Sequence, residues 1–324
     1  MSNSPAVQAP TADEISAAES RLAGLALRTP LIRLNYPETE AEIYLKLENL
    51  QPVGAFKIRS MGNILKSTEA GKLRHGVYTA SSGNSGFALA WLARHLGIPA
   101  TIYVPDTAPE GKLASIRRAG AQIKVSPYAD WWDIIRNHGL DNEQGFFVDA
   151  VCDPAAIAGN ATIGLEIVHE LPGVDTIVVP FGGGGVSCGI ASGAHTLKPD
   201  TRILAAESEM STPFSSALEA GRPVAVENRP GFISGIGGLS VLPEMWPLAR
   251  RLLDGSVVSP LSAVADAVRI LFEFNRVVAE GAGATALAAA LSMKADGPIV
   301  CVITGGNIDK AHMIKILEGG IPAA

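Results

Sequence analysis

The chain has 324 residues, of which 26 are lysine or arginine and 32 are aspartate or glutamate, so its formal net charge is −6. This acidic balance argues against a nucleic-acid-binding protein, because such proteins normally carry a basic stripe. Charged residues make up 18% of the sequence and hydrophobic residues 47%, which excludes a disordered chain and is typical of a globular protein with a large apolar interior.

Neither disulfides nor a membrane segment is predicted. The three cysteines, Cys152, Cys188 and Cys301, lie far apart and form no CxxC pair, which argues against a disulfide framework or a zinc ribbon. The first residues lack the basic and apolar regions of a signal peptide. The longest uncharged run, 176–194, contains six glycines and is better explained as strand, loop and helix than as a membrane span. We therefore predict a cytoplasmic protein with no nucleic-acid or membrane partner.

Strand and helix patterns alternate along the chain. Thr11 and Glu14 form a capping-box pattern, which predicts a helix that starts there and ends before Pro30. After it, short β-branched runs alternate with alanine-rich amphipathic runs; the predicted strand and helix pairs are 76–79 with 85–96, 100–104 with 109–119, and 176–180 with 186–195, and a last strand is predicted at 299–303. The alternation predicts an α/β protein with parallel sheets. The segment 205–245 is rich in Ser, Pro and Gly and is predicted to form long loops.

A lysine in apolar surroundings is the sharpest local anomaly. Lys57 lies in the segment 54–59, which reads Gly-Ala-Phe-Lys-Ile-Arg, in a chain that is poor in charge. One interpretation is a helix-surface lysine that keeps its ammonium in water. The other is a partly desolvated amine with a lowered pKa that serves as a Schiff-base nucleophile. This segment alone leaves both open.

Four consecutive glycines follow the predicted strand 176–180 and precede a predicted helix. At such a place backbone N–H groups converge on an anion, and the helix dipole favours negative charge, so 182–185 is predicted to bind a phosphate. The loop lacks the Gly-Lys-Ser/Thr ending of a Walker A loop and is not a GxGxxG dinucleotide motif. The alternative is a loop that merely lacks side chains.

Two further polar loops also follow predicted strands. The segment 81–86, Ser-Ser-Gly-Asn-Ser-Gly, offers hydroxyls at a helix N-terminus, which suits a carboxylate, although for this segment alone an ordinary N-cap cluster is the better explanation. The segment 303–307, Ile-Thr-Gly-Gly-Asn, follows the last strand, at the end where open α/β sheets bind ligands.

Taken in order, these segments resemble the fold-type II pyridoxal-phosphate enzymes, and within them the threonine/serine dehydratase and serine racemase group. The resemblance covers residues from about 29 to 307. It rests on the following segments in the family's order: 46–51, 54–59, 81–84, 156–159, 182–185, 205–207, 280–282 and 304–307. It implies a tryptophan-synthase-β-like architecture of two domains, each a largely parallel sheet flanked by helices. The large, cofactor-binding domain would comprise 1–74 and 153–324, and the small domain 75–152.

The resemblance also implies a cofactor, pyridoxal 5′-phosphate, and a role for each matching residue. Lys57 would bind it covalently as a Schiff base, with Phe56 packed near the ring, and Thr304 would face the pyridine nitrogen. The remaining cofactor-binding residues would be Asn84 at the ring's 3′ oxygen, Gly235 and Glu280 close to the ring, and Gly182, Gly183, Gly184 and Gly185 at the phosphate. Ser81, Ser82 and Ser85 would line the substrate-carboxylate site, and Ser82 stands where the racemases keep a second acid/base on the opposite face of the cofactor.

The sequence departs from the family pattern at several positions. Ser85 replaces a histidine, which would enlarge the carboxylate side of the pocket. Val151 stands where the racemases commonly have a cofactor-facing asparagine, and the family's serine and glycine are replaced by Ala55 and Ser60. The divalent-cation site of the group uses a glutamate and an aspartate; Glu207 is kept, but Pro213 replaces the aspartate, so no metal is predicted.

The predicted function is that of a dehydratase, or ammonia-lyase, which eliminates water from a β-hydroxy-α-amino acid to give a 2-oxo acid and ammonia. Threonine and serine are the default substrates, and the smaller Ser85 makes phenylserine a candidate. The alternatives are an amino-acid racemase of the same family and a non-catalytic ligand-binding module on this fold. We further expect a homodimer. The chain ends soon after the Gly-Gly-Asn segment, without length for a regulatory module, which favours a role in amino-acid catabolism.

Overall fold

A computed structural model describes residues 5–108, 110–229, 231–294 and 296–323. Within these residues the strands are β1 Leu31–Arg33, β2 Ile43–Lys46, β3 Val77–Ala80, β4 Ala100–Pro105, β5 Gln122–Ser126, β6 Phe146–Phe147, β7 Thr176–Pro180, β8 Arg202–Ser208, β9 Gly255–Ser259 and β10 Ile299–Val302. They form a six-stranded sheet in the order β1-β2-β10-β7-β8-β9 and a four-stranded sheet in the order β5-β4-β3-β6. Among the strands of the described residues, only β1 pairs antiparallel to its neighbour, and the other pairs are parallel.

Helices flank both sheets. In the described residues they are α1 Ala12–Leu22, α2 Lys57–Ser67, α3 Ala70–Leu73, α4 Asn84–Leu96, α5 Glu110–Arg118, α6 Tyr128–Arg136, α7 Pro154–Glu170, α8 Gly185–Leu197, α9 Pro213–Ala220, α10 Trp246–Leu252, α11 Leu261–Asn275, α12 Gly281–Leu291 and α13 Lys310–Leu317. The predicted fold class, an α/β protein with parallel sheets flanked by helices, is confirmed. None of these helices is both long and apolar enough to cross a bilayer.

The apolar core lies on both faces of the six-stranded sheet. Along β7, Val178 packs in the cluster that contains α11 and α12, whereas Ile177 and Val179 pack in the cluster that contains α8. Every residue of β7 is buried, as expected of a central parallel strand covered on both faces. A third cluster lies between the four-stranded sheet and helices that include α2 and α4.

The predicted elements agree with the structure to within one or two residues at most positions. The capping box of Thr11 and Glu14 is formed at the start of α1, but the predicted end before Pro30 is wrong, because α1 ends at Leu22. The residue that begins the predicted helix 109–119, Pro109, lies outside the described residues, and the rest corresponds to α5. The strands of the four-stranded sheet come from 77–147, between the two parts of the chain that form the larger sheet. The domain limits 1–74, 75–152 and 153–324 stay a prediction, and residues 1–4 and 324 lie outside the described part.

The prediction of long loops over 205–245 is wrong for its first part, up to residue 220. This part contains the end of β8 and all of α9. The carboxylate of Glu207, in β8, accepts hydrogen bonds from the backbone N–H groups of Phe214 and Ser215 at 2.7 and 2.8 Å, and so satisfies the first turn of α9. This cap comes from a strand rather than from the residue before the helix, so no local sequence pattern reveals it.

Helices α7 and α8 pack with their backbones in contact. A Cβ atom on Gly189 would lie 2.6 Å from the Asn160 Cβ, and one on Gly164 or Gly193 would collide with a main-chain oxygen of the other helix. Only glycine permits such a close approach. Helix α8, which begins at the four-glycine loop, is thereby fixed against α7.

A buried ion network fixes the start of α2. The guanidinium of Arg59 contacts Glu48 at 2.8 Å and Glu166 at 2.6 Å, and Glu166 also pairs with the Lys46 ammonium at 2.8 Å. The two carboxylates raise the pKa of Arg59. The network therefore joins α2, two residues beyond Lys57, to β2 and α7.

Candidate active site

The predicted site segments meet at the carboxyl ends of the parallel strands. The backbone N–H of Phe56 donates to the Thr304 carbonyl at 3.0 Å, and that of Gly306 donates to the Gly54 carbonyl at 2.9 Å. Ala55 and Gly305 form an isolated antiparallel bridge between the same segments. The structure thus holds Lys57, the next residue along, beside the loop that follows β10, where open α/β sheets bind ligands.

Lys57 is the first residue of α2 and is partly buried. Its Nζ lies 4.9 Å from the centre of the Phe56 ring. Burial lowers the pKa of the amine from 10.5 to about 8, while the Asp149 carboxylate opposes the shift. A substantial neutral fraction therefore exists near physiological pH, which is the condition for a lysine that acts as nucleophile or base.

Three of the four glycines leave little or no room for a side chain. A Cβ on Gly183 would lie 2.7 Å from the Val151 Cγ1, and one on Gly185 would lie 2.8 Å from the Val151 carbonyl oxygen. Gly184 has φ +90°, and a Cβ there would lie 3.0 Å from the Met245 Cγ. The loop thus exposes backbone rather than side chains at the start of the thirteen-residue helix α8, an arrangement that suits a phosphate group.

Three polar side chains from distant segments form a chain of hydrogen bonds. The Asn84 Nδ2 donates to the Glu280 Oε1 at 2.6 Å, and the Asn84 Oδ1 accepts from the Asn307 Nδ2 at 2.8 Å. The Asn84 NH₂ group has two protons and uses one in the bond to Glu280. The other is available to donate to an oxygen on a bound ring. Gly235 and Gly305 lie alongside: a Cβ on Gly235 would lie 3.8 Å from the Glu280 Oε1, and one on Gly305 would collide with that atom.

The serines 81, 82 and 85 surround the N-terminus of α4. Gly83 is the residue that precedes this helix, and its N–H donates to the Ser81 Oγ at 3.2 Å. Ser81, Ser82 and Ser85 are all partly buried. Free N–H groups of a helix start together with nearby hydroxyls can bind a carboxylate.

The donor groups fit pyridoxal phosphate. The partly buried Lys57 amine suits an aldehyde, the glycine loop suits a phosphate, and Thr304, only 4% exposed, carries a hydroxyl that tolerates a neutral ring nitrogen.

Glu207, the residue of the family's cation site that this sequence keeps, is already engaged in hydrogen bonds. It accepts from two backbone N–H groups and from the hydroxyls of Ser215 and Ser256, both hydroxyls at 2.7 Å. In the described part of the chain no three His, Cys, Asp or Glu side chains are grouped to hold a metal ion.

Sequence reasoning missed three titratable residues close to this site. Asp149 follows β6 and acts electrostatically on Lys57; its carboxylate lies 2.7 Å from the Nδ1 of His138, whose Nε2 lies 2.9 Å from Glu244. These residues belong to distant segments, and none stands in a recognisable motif. The positive φ of His138, +53°, is unusual for a residue other than glycine, but it is visible only in the structure.

Comparisons with known proteins agree with this chemistry. Residues 22–305 match the family described as pyridoxal-phosphate dependent enzyme. The chain is 35% identical over 318 residues to the L-threonine ammonia-lyase of Thermotoga maritima, covering 96% of this chain and 79% of that protein. It is 31% identical over 307 residues to a serine racemase of Oryza sativa, covering 91% and 90%. The structure of maize serine racemase superimposes with a TM-score of 0.88 at 29% identity, covering 96% and 98%.

Proposed function

The chain belongs to the family of pyridoxal-phosphate-dependent enzymes, and on that premise we propose that it is a dehydratase, or ammonia-lyase, acting on a β-hydroxy-α-amino acid. The reaction removes the Cα proton and the β-hydroxyl, and hydrolysis of the resulting enamine gives a 2-oxo acid and ammonia. The water expelled in the first step is taken up again in the second. Names of similar proteins include both threonine ammonia-lyase and serine racemase, so the choice between these activities depends on the residues of the site.

The observation that carries the proposal is the partly buried Lys57 amine, held beside the loop that follows β10 at the carboxyl ends of the parallel strands. When bound, pyridoxal phosphate supplies an electron sink for the bond that breaks at the substrate Cα. Lys57 would hold the cofactor and, once displaced by the substrate amine, accept the Cα proton at Nζ. Its pKa of about 8 suits a general base near neutral pH.

The other residues would orient the reactants. The backbone of 182–185 would bind the phosphate, and the N-terminus of α4 with Ser81, Ser82 and Ser85 would bind the substrate carboxylate. The buried ion network around Arg59 would contribute to the orientation of Lys57. It fixes α2 and so limits the positions that the Lys57 side chain can adopt.

Thr304 would set the balance between elimination and longer-lived carbanion chemistry. With its hydroxyl facing the ring nitrogen, Thr304 would add no negative charge there and would favour an unprotonated nitrogen. Charge would then stay close to the substrate Cα, which would favour rapid loss of the β-hydroxyl. A hydroxyl at this position therefore favours a lyase over a racemase.

A release assay over candidate substrates tests the proposal. The purified protein with pyridoxal phosphate is incubated with the stereoisomers of serine, threonine, 3-hydroxyaspartate and phenylserine, and both 2-oxo acid and ammonia are measured. We expect equal amounts of the two products from at least one substrate, and Ser85 favours phenylserine among them. Absence of 2-oxo acid from all of them, in a protein that shows the visible absorbance of bound cofactor, would overturn the dehydratase proposal.

Racemisation is the second candidate, because Ser82, just before α4, would serve as the second acid/base that the resemblance to the racemases implies. Chiral chromatography of the remaining amino acid distinguishes the two: a racemase produces the opposite enantiomer without ammonia. The homodimeric state and the cytoplasmic location predicted from the sequence stay predictions, as do the roles of the individual residues.

A further inference from the structure

His138 connects two segments that the proposed chemistry does not use. Its Nδ1 lies 2.7 Å from the Asp149 Oδ2, and its Nε2 lies 2.9 Å from the Glu244 Oε1. The contact between Nε2 and Glu244 is an ion pair when the imidazole is protonated. Asp149 follows the four-stranded sheet, whereas Glu244 precedes α10 on the six-stranded sheet.

Each of the two carboxylates lies next to a residue that packs on the glycine loop. The Asp149 Oδ1 accepts hydrogen bonds from the backbone N–H groups of Val151 and Cys152 at 2.8 and 3.0 Å. Val151 is the residue in contact with Gly183 and Gly185. Met245, directly after Glu244, is the residue in contact with Gly184, and it is fully buried. The two segments therefore form the wall behind the predicted phosphate site.

We propose that His138 is a positioning residue for the cofactor phosphate: by bridging Asp149 and Glu244 it holds Val151 and Met245 against the glycine loop. The inference rests on the proposed function, because it requires that the loop binds a phosphate. The affinity for the cofactor would then also depend on a residue beside the four-stranded sheet, outside the glycine loop itself.

The charges around His138 give this bridge a pH dependence. Asp149 and Glu244 face the imidazole and raise its pKa above 6.5, although burial opposes the shift. Beyond them lie Lys57 and Asp153, which interact electrostatically with Asp149, and the Cys152 thiol, whose pKa burial raises so that it stays neutral. The imidazole thus carries the positive charge of the bridge below the pKa of His138 and loses it as the pH rises through that pKa.

The test uses pyridoxine 5′-phosphate, which has the phosphate but no aldehyde, so that covalent capture by Lys57 does not contribute. His138→Asn removes the bridge and suits the backbone, because asparagine tolerates a positive φ. We expect its Kd for the probe to rise by about tenfold, the usual effect of losing one bond to a charged group. The ratio of the two Kd values should shrink between about pH 6 and about pH 9, as the wild-type imidazole loses its proton.

His195→Asn is the matched control. His195 is also partly buried, lies in α8, and makes one hydrogen bond, to the Thr201 carbonyl at 2.9 Å. We expect its Kd to stay within about twofold of wild type, as for a change remote from the phosphate. Equal affinity of wild type and His138→Asn, or equal loss in both histidine variants, would overturn the proposal.

A substitute variant and two further results keep the test decisive. If His138→Asn does not fold, Glu244→Gln, which keeps the side-chain shape and removes the charge, takes its place with the same expected direction. If wild type binds neither pyridoxal phosphate nor pyridoxine 5′-phosphate, the proposed function itself fails. If wild type binds both and Glu244→Gln also binds both unchanged, only the role of His138 fails.

Discussion

Replacing Gly183 by alanine places a methyl group against the wall of the glycine loop. The new Cβ would lie 2.7 Å from the Val151 Cγ1 and 3.2 Å from its Cγ2. Real Cβ atoms do not come this close to another carbon, so either the loop or Val151 must move. Gly183 does not have a positive φ, so the clash is steric and not a matter of backbone strain.

The size of the effect follows from the atoms involved. Overpacking of this kind costs about 1–3 kcal/mol, which corresponds to roughly a fivefold to 150-fold loss of cofactor affinity if the loop moves. Val151→Ala removes both clashing methyl groups and leaves only the Val151 Cβ, at 3.6 Å, in ordinary contact. The double variant Gly183→Ala/Val151→Ala should therefore recover about 1–2 kcal/mol relative to the sum of the single variants.

The assay is a titration of each protein with pyridoxal phosphate, combined with urea unfolding of the cofactor-free protein. Gly173→Ala is the control, because nothing lies within 4 Å of a Cβ at that glycine. Strict additivity of the two single substitutions in both measurements would show that Val151 does not form the wall of the loop. A double variant that recovers stability but not affinity would show that the methyl group itself occupies the place of the phosphate.

Four further predictions concern Lys57, Ser85 and Thr304. Lys57→Ala should abolish the visible absorbance of bound cofactor and lower turnover by several orders of magnitude, because nucleophile and base are lost together. In the cofactor-free protein, the free energy of unfolding of wild type should rise relative to Lys57→Met between pH 8 and 10.5, because the folded protein releases the Nζ proton near 8 and the unfolded chain keeps it up to 10.5. Ser85→His should narrow the pocket and lower the ratio of kcat/KM for phenylserine over threonine. Thr304→Asp should protonate the ring nitrogen by its charge, slow elimination, and produce a long-wavelength absorbance band during turnover with more racemisation or transamination.

Each of these has a result that would contradict it. Near-normal turnover of Lys57→Ala would end the assignment of the nucleophile, and a flat difference in unfolding free energy from pH 8 to 10.5 would mean that the amine is exposed to solvent. An unchanged substrate ratio would show that Ser85 does not set substrate size. Unaltered spectra and products in Thr304→Asp would assign that residue to capping the loop after β10.

The fold was predictable where a strand and the loop after it both carry strong local signals. The run from Thr176 to Pro180 is β-branched and ends at four glycines, so strand, loop and helix were all located. β8 was missed because its buried stretch, 203–208, contains two alanines and shows no alternation of apolar and polar residues. α9 was missed because its cap, Glu207, lies on that strand. Local patterns contain no information on such a tertiary contact.

The same distinction applies to the site. Lys57, the glycine loop and Thr304 were identified because each lies in a segment whose composition is unusual by itself, and because the order of the segments resembles a family. Asp149, His138 and Glu244 were not identified, since one isolated Asp, His or Glu in a chain is unremarkable. Their proximity arises only when β6 and the segment before α10 are brought together around the glycine loop.

The backbone contact between α7 and α8 limits how this protein can diversify. At Gly164 and Gly193 even alanine would push the two helices apart, and α8 would carry the glycine loop with it. Random mutagenesis should therefore yield few functional variants at these positions, whatever substrate is selected. New specificities should accumulate instead at the start of α4, where Gly83 has open space around its Cβ position and Ser85 is only partly buried. A directed-evolution library that keeps the helix pair fixed and varies the start of α4 would concentrate its diversity where the fold can accept it.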